Sequence, residues 1–195
     1  MIYLTGVILA GGKNSRMGME KAFIQISGKS IIDNALSIFK EIFSEVLIVT
    51  NTPEDFYYAK VELVKDIYPG GGSLGGLYTG IKKAKYDECF VIACDMPFIN
   101  SDLIKHMIEI KGYDVVVPKI NGMYEPLFAS YSKSCLEVIE NNLKKGNLKI
   151  IETFSELKIR EINQIEVSLY DNKLLSLINL NTLSELNNLL EANQT

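Results

Sequence analysis

The sequence predicts an α/β fold with three layers, α/β/α, around a mainly parallel sheet, in a single domain over residues 1–195. Apolar segments of strand length, rich in β-branched residues, alternate along the chain with longer segments whose apolar residues recur at helical spacing. No internal repeat, low-complexity run or linker rich in Pro, Gly or Ser divides the 195 residues, and this length suits one domain with a substantial core.

Composition and charge narrow the functional classes. Hydrophobic residues make up 47% of the chain and charged residues 23%, which is ordinary for a globular protein. The net charge of −4 argues against non-specific binding of nucleic acid. The three cysteines form no C-x-x-C pair, which argues against a disulfide framework or a zinc site. With no signal-peptide pattern and no apolar run of transmembrane length, we expect a cytoplasmic protein without a membrane partner.

The first predicted strand, Tyr3–Leu9, leads into a glycine-rich and basic loop. This loop contains Gly11, Gly12, Lys13, Arg16, Gly18 and Lys21. Glycines allow close approach of a ligand, successive backbone N–H groups form a concave anion site, and cationic side chains add charge. The pattern favours a phosphate-binding loop. An ordinary β-to-α turn with exposed basic residues is the alternative, and composition alone does not separate the two.

A helix and a second strand follow. Ser30 is the predicted N-cap of a helix with a continuous apolar face. Gly28-Lys29-Ser30 is not a Walker A motif, because Phe23 stands where that motif needs a glycine. The next strand, Glu45–Thr50, ends at Asn51. The Asn51 amide is placed either to reach a ligand at the end of the strand or to cap the turn or short helix that follows.

A glycine-rich segment over residues 68–76 follows a third predicted strand, Val61–Lys65, and precedes a helix over residues 77–83. Gly70, Gly72 and Gly75 satisfy G-x-G-x-x-G, and an aspartate lies about twenty residues further on, as in a dinucleotide-binding fingerprint. However, the segment from Asp66 to Pro69 separates the strand from the first glycine. We therefore interpret the match as a coincidence, and an NAD-dependent Rossmann oxidoreductase is disfavoured.

The continuous apolar strand Glu88–Cys94 is predicted to lie centrally in the sheet and ends at Asp95. A carboxylate at this position, beside a phosphate loop, is a candidate Mg²⁺ ligand, and a turn-capping aspartate is the alternative. We expect Cys94 to be a small buried hydrophobe and His106 to face solvent on the next helix, so a catalytic Cys–His pair is disfavoured.

The second half of the chain continues the alternation. Its predicted elements are a helix capped by Ser101, a strand over Tyr113–Pro118, a hairpin turn at Asn121-Gly122, a strand over Met123–Tyr131, a helix over Ser132–Lys144 stopped by Gly146, a helix and short strand within Asn147–Ile162, a strand over Leu177–Asn181 and a terminal helix.

Several of these segments resemble the nucleotidyltransferases of the glycosyltransferase-A-like fold, which implies a Rossmann-like mixed sheet. Leu9-Ala10-Gly11-Gly12, Ser15-Arg16-Met17-Gly18 and Lys21 look like the signature of that superfamily. Within it, the second glycine of L-A-G-G is similar to the molybdenum cofactor guanylyltransferases. The likeness continues through Asp66, the glycine-rich segment, Asp95 with its x-Pro, the Glu125-Pro126-Leu127-Phe128-Ala129 segment and Asn179-x-Asn181-Thr182. The match at Glu125–Ala129 implies a segment that lines the acceptor side of the cleft, and packing of a strand is the alternative.

The resemblance implies transfer of GMP from GTP to the phosphate of a molybdenum-bearing molybdopterin, with release of pyrophosphate. The implied residues are Arg16, Lys21 and Asp95 for catalysis; Leu9, Ala10, Gly11, Gly12, Lys21, Asn51, Asp66, Gly75 and Asp95 for the nucleotide; Asp95 for Mg²⁺; and Pro126, Asn179 and Asn181 for the acceptor. A transferase that uses CTP or a sugar-phosphate acceptor and a non-catalytic nucleotide sensor stay open. The expected assembly is a monomer or a weak oligomer, and any partner protein that receives the product stays open.

Overall fold

The computed structural model describes residues 2–11, 22–26, 28–180 and Glu185. Ten strands lie within these residues. They are β1 (Ile2–Leu9), β2 (Gln25–Ile26), β3 (Lys29–Ser30), β4 (Phe43–Val49), β5 (Glu62–Val64), β6 (Glu88–Ala93), β7 (Val115–Ile120), β8 (Met123–Tyr124), β9 (Phe128–Ser132) and β10 (Ile159–Asn163). β2 and β3 pair as a small antiparallel unit, and the other eight strands form one sheet.

The large sheet has the order β10-β7-β9-β6-β1-β4-β5, with β8 paired to β7. β1 is parallel to both β4 and β6, so that Val7 lies beside Leu47 on one side and Val91 on the other. Only β9 and β8 run antiparallel to their neighbours. The central position predicted for β6 is therefore confirmed, and the parallel strands all end at one edge of the sheet, called here the carboxyl edge.

Five α-helices and four 3₁₀ helices lie in the described part of the chain. The α-helices are α1 (Ile31–Ile42), α2 (Gly72–Lys83), α3 (Ser101–Glu109), α4 (Leu136–Lys144) and α5 (Gln164–Ser168). The 3₁₀ helices are Pro53–Ala59, Lys133–Cys135, Ile150–Glu156 and Leu175–Leu177.

The helices cover both faces of the sheet. Ile8 of β1 belongs to one buried cluster with Phe39 of α1 and Ile104 of α3. Val7, one residue earlier, belongs to a second cluster with Leu77 of α2 and Ile139 of α4. Successive residues of a strand point to opposite faces, so β1 separates two cores. The predicted three-layer α/β/α arrangement is confirmed.

Turn and cap residues explain several boundaries. Ser30 caps α1, because its hydroxyl accepts a hydrogen bond from the Asp33 N–H at 3.1 Å, as predicted. The cap of α3 is Asn100 rather than Ser101, since its side-chain oxygen accepts from the backbone at the start of the helix. Asn121 and Gly122 take φ angles of 50° and 81° and form the predicted hairpin turn between β7 and β8.

Three predicted boundaries are wrong. α2 begins at Gly72, five residues earlier than predicted, and so includes much of the glycine-rich segment. The predicted strand Met123–Tyr131 is divided, because a turn closed by a 3.0 Å hydrogen bond from the Phe128 N–H to the Glu125 oxygen separates β8 from β9. Leu177 lies in a 3₁₀ helix and residues 178–180 form no strand, while most of the predicted terminal helix lies outside the described residues.

Within the described ranges, no helix combines the length and apolarity needed to cross a membrane.

Candidate active site

Backbone hydrogen bonds join the ends of neighbouring strands at the carboxyl edge. The Ala10 N–H donates to the Val49 oxygen at 2.8 Å, and the Cys94 N–H donates to the Leu9 oxygen at 3.0 Å. These bonds continue the pairing of β1 with β4 and β6 beyond the strands themselves. The backbone of the predicted nucleotide-binding residues Leu9 and Ala10 therefore has a fixed position between the ends of β4 and β6.

Gly11 and Asn51 lie next to each other at this edge, and both are exposed. A Cβ added to Gly11 would lie 3.9 Å from the Asn51 Nδ2 atom. The alternative capping role for Asn51 is wrong, because Thr52 occupies the N-cap position of the 3₁₀ helix and its N–H donates to the Thr50 hydroxyl at 3.2 Å. The structure therefore brings an accessible glycine backbone and an accessible amide together, a pair able to hydrogen-bond the edge of a nucleobase.

Asp66 is held by a small hydrogen-bond network behind this edge. Its Oδ1 atom accepts from the Tyr68 N–H and from the buried Thr79 hydroxyl, each at 2.9 Å. The Thr79 oxygen also accepts from the Ile67 N–H at 3.1 Å and lies 2.9 Å from the Gly75 oxygen. One side chain of α2 thus fixes both the Asp66 carboxylate and the backbone that follows it.

Gly75 faces this carboxylate directly. A Cβ at Gly75 would lie 2.9 Å from the Tyr68 oxygen and 3.4 Å from the Asp66 Oδ2 atom. The first of these contacts is shorter than real Cβ atoms show. Close approach of backbone, rather than a dinucleotide-binding turn, therefore explains a glycine at this position, and the structure brings the predicted pair Asp66 and Gly75 together.

Asp95 lies in the turn after β6 and is partly exposed. Its backbone oxygen accepts the Leu180 N–H at 3.0 Å, so the segment that contains the predicted acceptor residue Asn179 reaches the same turn. No cluster of three or more His, Cys, Asp or Glu side chains suited to a metal occurs among the described residues. A single carboxylate fits a Mg²⁺ ion that takes its other ligands from water and substrate phosphates, but not a metal held by protein alone.

Four predicted site residues lie outside the described part of the chain. They are Gly12, Arg16, Lys21 and Asn181. Their assignment to phosphate and acceptor binding remains a prediction from the sequence.

The predicted acceptor residue Pro126 lies on the other side of Asp95 from Gly11. Its oxygen accepts the Tyr131 hydroxyl at 2.7 Å, and the oxygen of the next residue, Leu127, accepts the Ala93 N–H at 3.1 Å. This segment therefore meets the end of β6, two residues before Asp95. The structure therefore places the segments that contain Pro126 and Asn179 at the carboxyl edge, next to the end of β6 and the turn that contains Asp95.

A cavity of about 540 Å³ opens beside this edge, on the side of α1 and α3. Asn34 of α1 and the loop Pro97–Asn100 line it together with Asp171 and Ser176. Asp171 is buried, and its Oδ2 atom accepts from both the N–H and the hydroxyl of Ser176 at 2.7 Å. Sequence reasoning missed this cavity because its walls come from segments far apart in the chain and match no motif.

Glu125 is a second feature that sequence reasoning did not single out as a site residue. It is half-buried, and burial raises the pKa of its carboxyl group above the ordinary value. Its neighbour Pro126 was predicted to contact the acceptor, but nothing in the sequence shows that the Glu125 carboxylate is partly removed from water.

His106 was expected to face solvent, but its side chain is only partly exposed. Its Nε2 atom lies 2.8 Å from the Glu166 Oε1 atom, and its ring stacks on Tyr170 with centroids 4.8 Å apart. Arg160 binds both oxygens of Glu166, at 3.0 and 2.9 Å. This cluster ties α3 to β10 and α5, and it gives His106 a structural role.

The three cysteines are buried and form no disulfide with one another, and the burial of Cys94 was expected. Burial raises the pKa of Cys89 above its ordinary value and raises that of Cys135 to about 12. Both thiols therefore stay protonated near neutral pH and do not act as nucleophiles.

Comparison with known proteins places this geometry in a family. The sequence profile of the MobA-like NTP transferase domain matches residues 6–159. A "Probable molybdenum cofactor guanylyltransferase" from Pelotomaculum thermopropionicum is 36% identical over 187 residues, covering 95% of this chain and 91% of the relative. A "Molybdenum cofactor guanylyltransferase" from Desulfosudis oleivorans is 38% identical over 186 residues, covering 94% and 92%.

A solved structure shares the whole architecture. The crystal structure of molybdopterin-guanine dinucleotide biosynthesis protein A from Archaeoglobus fulgidus superposes with a TM-score of 0.82 at 26% identity, covering 98% of this chain and 99% of that one. This chain therefore shares its overall fold with that solved structure.

Proposed function

This chain belongs to the MobA-like NTP transferase family and is a nucleotidyltransferase, and from that premise we propose that it transfers GMP from GTP to the phosphate of a molybdenum-bearing pterin. The product is the guanine dinucleotide form of the cofactor, and pyrophosphate leaves. The observation that carries the proposal is the meeting of Gly11, Asn51 and Asp95 at the ends of three adjacent parallel strands. Ligands of open α/β sheets bind at this edge.

The nucleotide lies over the ends of β1, β4 and β5. The exposed backbone at Gly11 and the Asn51 amide bind the base, since both are accessible and adjacent. Asp66, fixed by Thr79, holds the nucleoside from the β5 side. The names of the relatives support guanine as the base and GTP as the donor, ahead of CTP.

The phosphates lie along the loop that follows β1. Gly12 contributes its backbone N–H, and Arg16 and Lys21 contribute positive charge, as glycine-rich cationic loops do for triphosphates. In a protein with a net charge of −4, binding of a tetra-anionic ligand depends on such a local concentration of cations. This part of the proposal rests on the sequence and on the family.

The reaction is an in-line displacement at the α-phosphorus. An oxygen of the acceptor phosphate forms the new P–O bond while the bond to the leaving pyrophosphate breaks. A phosphate nucleophile is already ionised near neutral pH, so the site needs no general base, in keeping with the structural role of His106. Catalysis then depends on aligning two anions and neutralising their charge, which the strand ends and the cationic loop provide.

Asp95 is the residue that would hold a divalent metal, and we propose Mg²⁺. The ion supplies charge neutralisation on the phosphate oxygens when bound. Asp95 suits this role because it is partly exposed at the end of the central strand and lies between the Gly11 side and the Pro126 side of the edge. We place the reaction in the cytoplasm, where thiols such as those of the three cysteines stay reduced.

The test is pyrophosphate release from GTP, CTP or ATP with a molybdopterin acceptor and Mg²⁺, with the product identified by mass. We expect release with GTP to exceed release with CTP, and Asp95→Ala to lower turnover at least about a hundredfold. Asp87→Ala, which removes an exposed carboxylate at the opposite end of β6, is the matched control and leaves turnover unchanged. Preferred use of CTP, or full activity of Asp95→Ala, would contradict the proposal, and triphosphate binding without turnover would favour a nucleotide sensor.

A further inference from the structure

Glu125 occupies a defined place at the carboxyl edge, on the acceptor side of Asp95. Its N–H donates to the Pro118 oxygen of β7 at 3.0 Å, so it lies beside the last residues of that strand. Two residues later, the Leu127 oxygen accepts from Ala93 at the end of β6. The short segment from Glu125 to Leu127 therefore crosses the edge from β7 to β6 and stops two residues short of Asp95.

The Glu125 carboxylate has no hydrogen bond or ion pair with any residue that the structure describes. The lysine on the neighbouring strand does not neutralise it. Lys119 lies 2.8 Å from the Glu161 Oε1 atom and 3.3 Å from the Tyr124 hydroxyl, so its charge is already shared. A half-buried carboxylate without a partner is costly, and such groups are expected where a ligand supplies the missing donors.

The position of Glu125 indicates that this ligand is the acceptor rather than the nucleotide. The candidate nucleotide residues Gly11, Asn51 and Asp66 follow β1, β4 and β5, on one side of β6. Glu125 follows β8 and lies at the ends of β7 and β6, on the other side. A ligand that reaches Glu125 while its phosphate meets Asp95 therefore approaches from the side opposite the nucleotide.

We propose that Glu125 determines specificity for the acceptor by binding the ring edge in which an N–H group neighbours an exocyclic amine. A pterin, a 2-amino-4-oxopteridine, presents this pair of donors, and one carboxylate can accept both in the bidentate manner of a guanidinium pair. The inference rests on the proposed function for the identity of the acceptor. Guanine presents the same pair of donors, so the experiment must distinguish binding of the acceptor pterin from binding of the guanine of GTP.

The first measurement is steady-state kinetics of Glu125→Gln and Glu125→Ala with GTP and a molybdopterin acceptor. Loss of two charge-assisted hydrogen bonds should raise the acceptor KM about ten- to a hundredfold. The KM for GTP should stay close to that of the wild type, and the melting temperature of Glu125→Gln should not fall below that of the wild type. Glu109→Gln, an exposed glutamate at the far end of α3, is the matched control and should change neither KM.

The second measurement is direct binding, which needs no turnover. A 2-amino-4-oxopteridine phosphate and its 2-oxo analogue are titrated into wild-type protein and Glu125→Gln, and binding is followed by pteridine fluorescence. The wild type should prefer the 2-amino compound by about tenfold or more, the value of one charge-assisted hydrogen bond. Glu125→Gln should bind both compounds with similar affinity.

Three results would overturn the inference. If the Glu125 variants raise the KM for GTP and lose discrimination between GTP and ITP, Glu125 binds guanine instead. If Asn34→Ala, in the cavity beside α1, raises the acceptor KM while the Glu125 variants do not, the ring occupies that cavity. If the wild type binds both pteridines equally or neither, Glu125 does not recognise the amine. Absence of GTP-dependent pyrophosphate release in the wild type would refute the proposed function, and the pteridine titration would still decide the role of Glu125.

Discussion

Replacing Thr79 by valine tests how the nucleotide side of the site is held in place. Valine keeps the shape of threonine and removes only the hydroxyl. That hydroxyl donates either to the Asp66 Oδ1 atom or to the Gly75 oxygen, both at 2.9 Å, and it accepts from the Ile67 N–H at 3.1 Å. The substitution therefore removes one donor from a carboxylate and one acceptor from a backbone N–H.

The energetic cost follows from these contacts. A hydrogen bond to a charged group contributes about 1.5–3 kcal/mol, and an N–H left without an acceptor adds up to about 1–3 kcal/mol when buried. The Ile67 N–H donates to the hydroxyl of the fully buried Thr79, so part of this second contribution adds to the first. We expect Thr79→Val to lower the free energy of unfolding by about 2–3 kcal/mol, which corresponds to a fall in melting temperature of about 4–12 °C for a domain of this size.

Thr79→Ser is the matched control, because it keeps the hydroxyl and removes a methyl group from a fully buried site. It should lower the free energy of unfolding by about 1 kcal/mol. The two variants should differ in their affinity for GTP, which titration calorimetry measures. Thr79→Val frees the Asp66 carboxylate and should raise the Kd about fivefold, equivalent to about 1 kcal/mol, whereas Thr79→Ser should leave it unchanged. Equal GTP affinity of both variants would refute the proposed role of Asp66, and a Thr79→Val melting temperature equal to that of the wild type would refute the network itself.

Three further outcomes are expected. Lys21→Ala, which removes a cation of the predicted phosphate loop, should reduce turnover far more than stability, because a lysine that serves the ligand rather than the core normally contributes under about 0.5 kcal/mol to folding; equal losses of activity and melting temperature would contradict this. Cys89 and Cys135 should react with a thiol reagent at pH 8 only after unfolding, since burial raises both pKa values; rapid labelling of the native protein would show that they are accessible. Burial raises the pKa of Glu125 in the folded state, so its contribution to stability is present at acidic pH and is lost as the pH rises through that pKa. Glu125→Gln should therefore melt higher than the wild type at pH 8 and equally at pH 4, and a lower melting temperature at pH 8 would indicate a stabilising partner.

The central strands and the first helix could be predicted because local pattern and tertiary environment agree there. Strand β6 is apolar after Glu88 and is buried on both faces from Cys89 to Ala93, as a strand between two helical layers must be. Ser30 identified the N-cap of α1, and the spacing of the apolar residues after it identified the buried face of the helix. The positions of Asn51 and Asp95 were predicted by the same logic, since a polar residue that follows such a strand lies at the carboxyl edge.

The errors lie where contacts between distant segments override local preference. Glycines disfavour a helix, yet α2 includes several. Close packing requires two of them, because a Cβ at Gly80 would lie 2.6 Å from the Val7 Cγ1 atom and one at Gly75 would lie 2.9 Å from the Tyr68 oxygen. The strand predicted around Pro126 breaks because Glu125 pairs with β7 while Leu127 pairs with β6. His106 binds Glu166, sixty positions away, and no periodicity reveals such a pair.

The antiparallel strand β9 explains why one sheet edge can serve two substrates. In a sheet of parallel strands alone, every strand ends at the carboxyl edge. The polar residues that follow the strands then approach a ligand from one chain direction only. Here β9 enters from that edge, so the residues before it, Glu125 to Leu127, reach the same crevice from the opposite chain direction. Asp95 ends the last parallel strand before this reversal. It therefore stands between Gly11 with Asn51 on one side and Glu125 on the other. In the proposed function, the donor phosphate and the acceptor phosphate meet there for in-line transfer. On this reasoning, a variant of Asn51 raises the KM for GTP and a variant of Glu125 raises the KM for the acceptor. A variant of Asp95 instead lowers kcat.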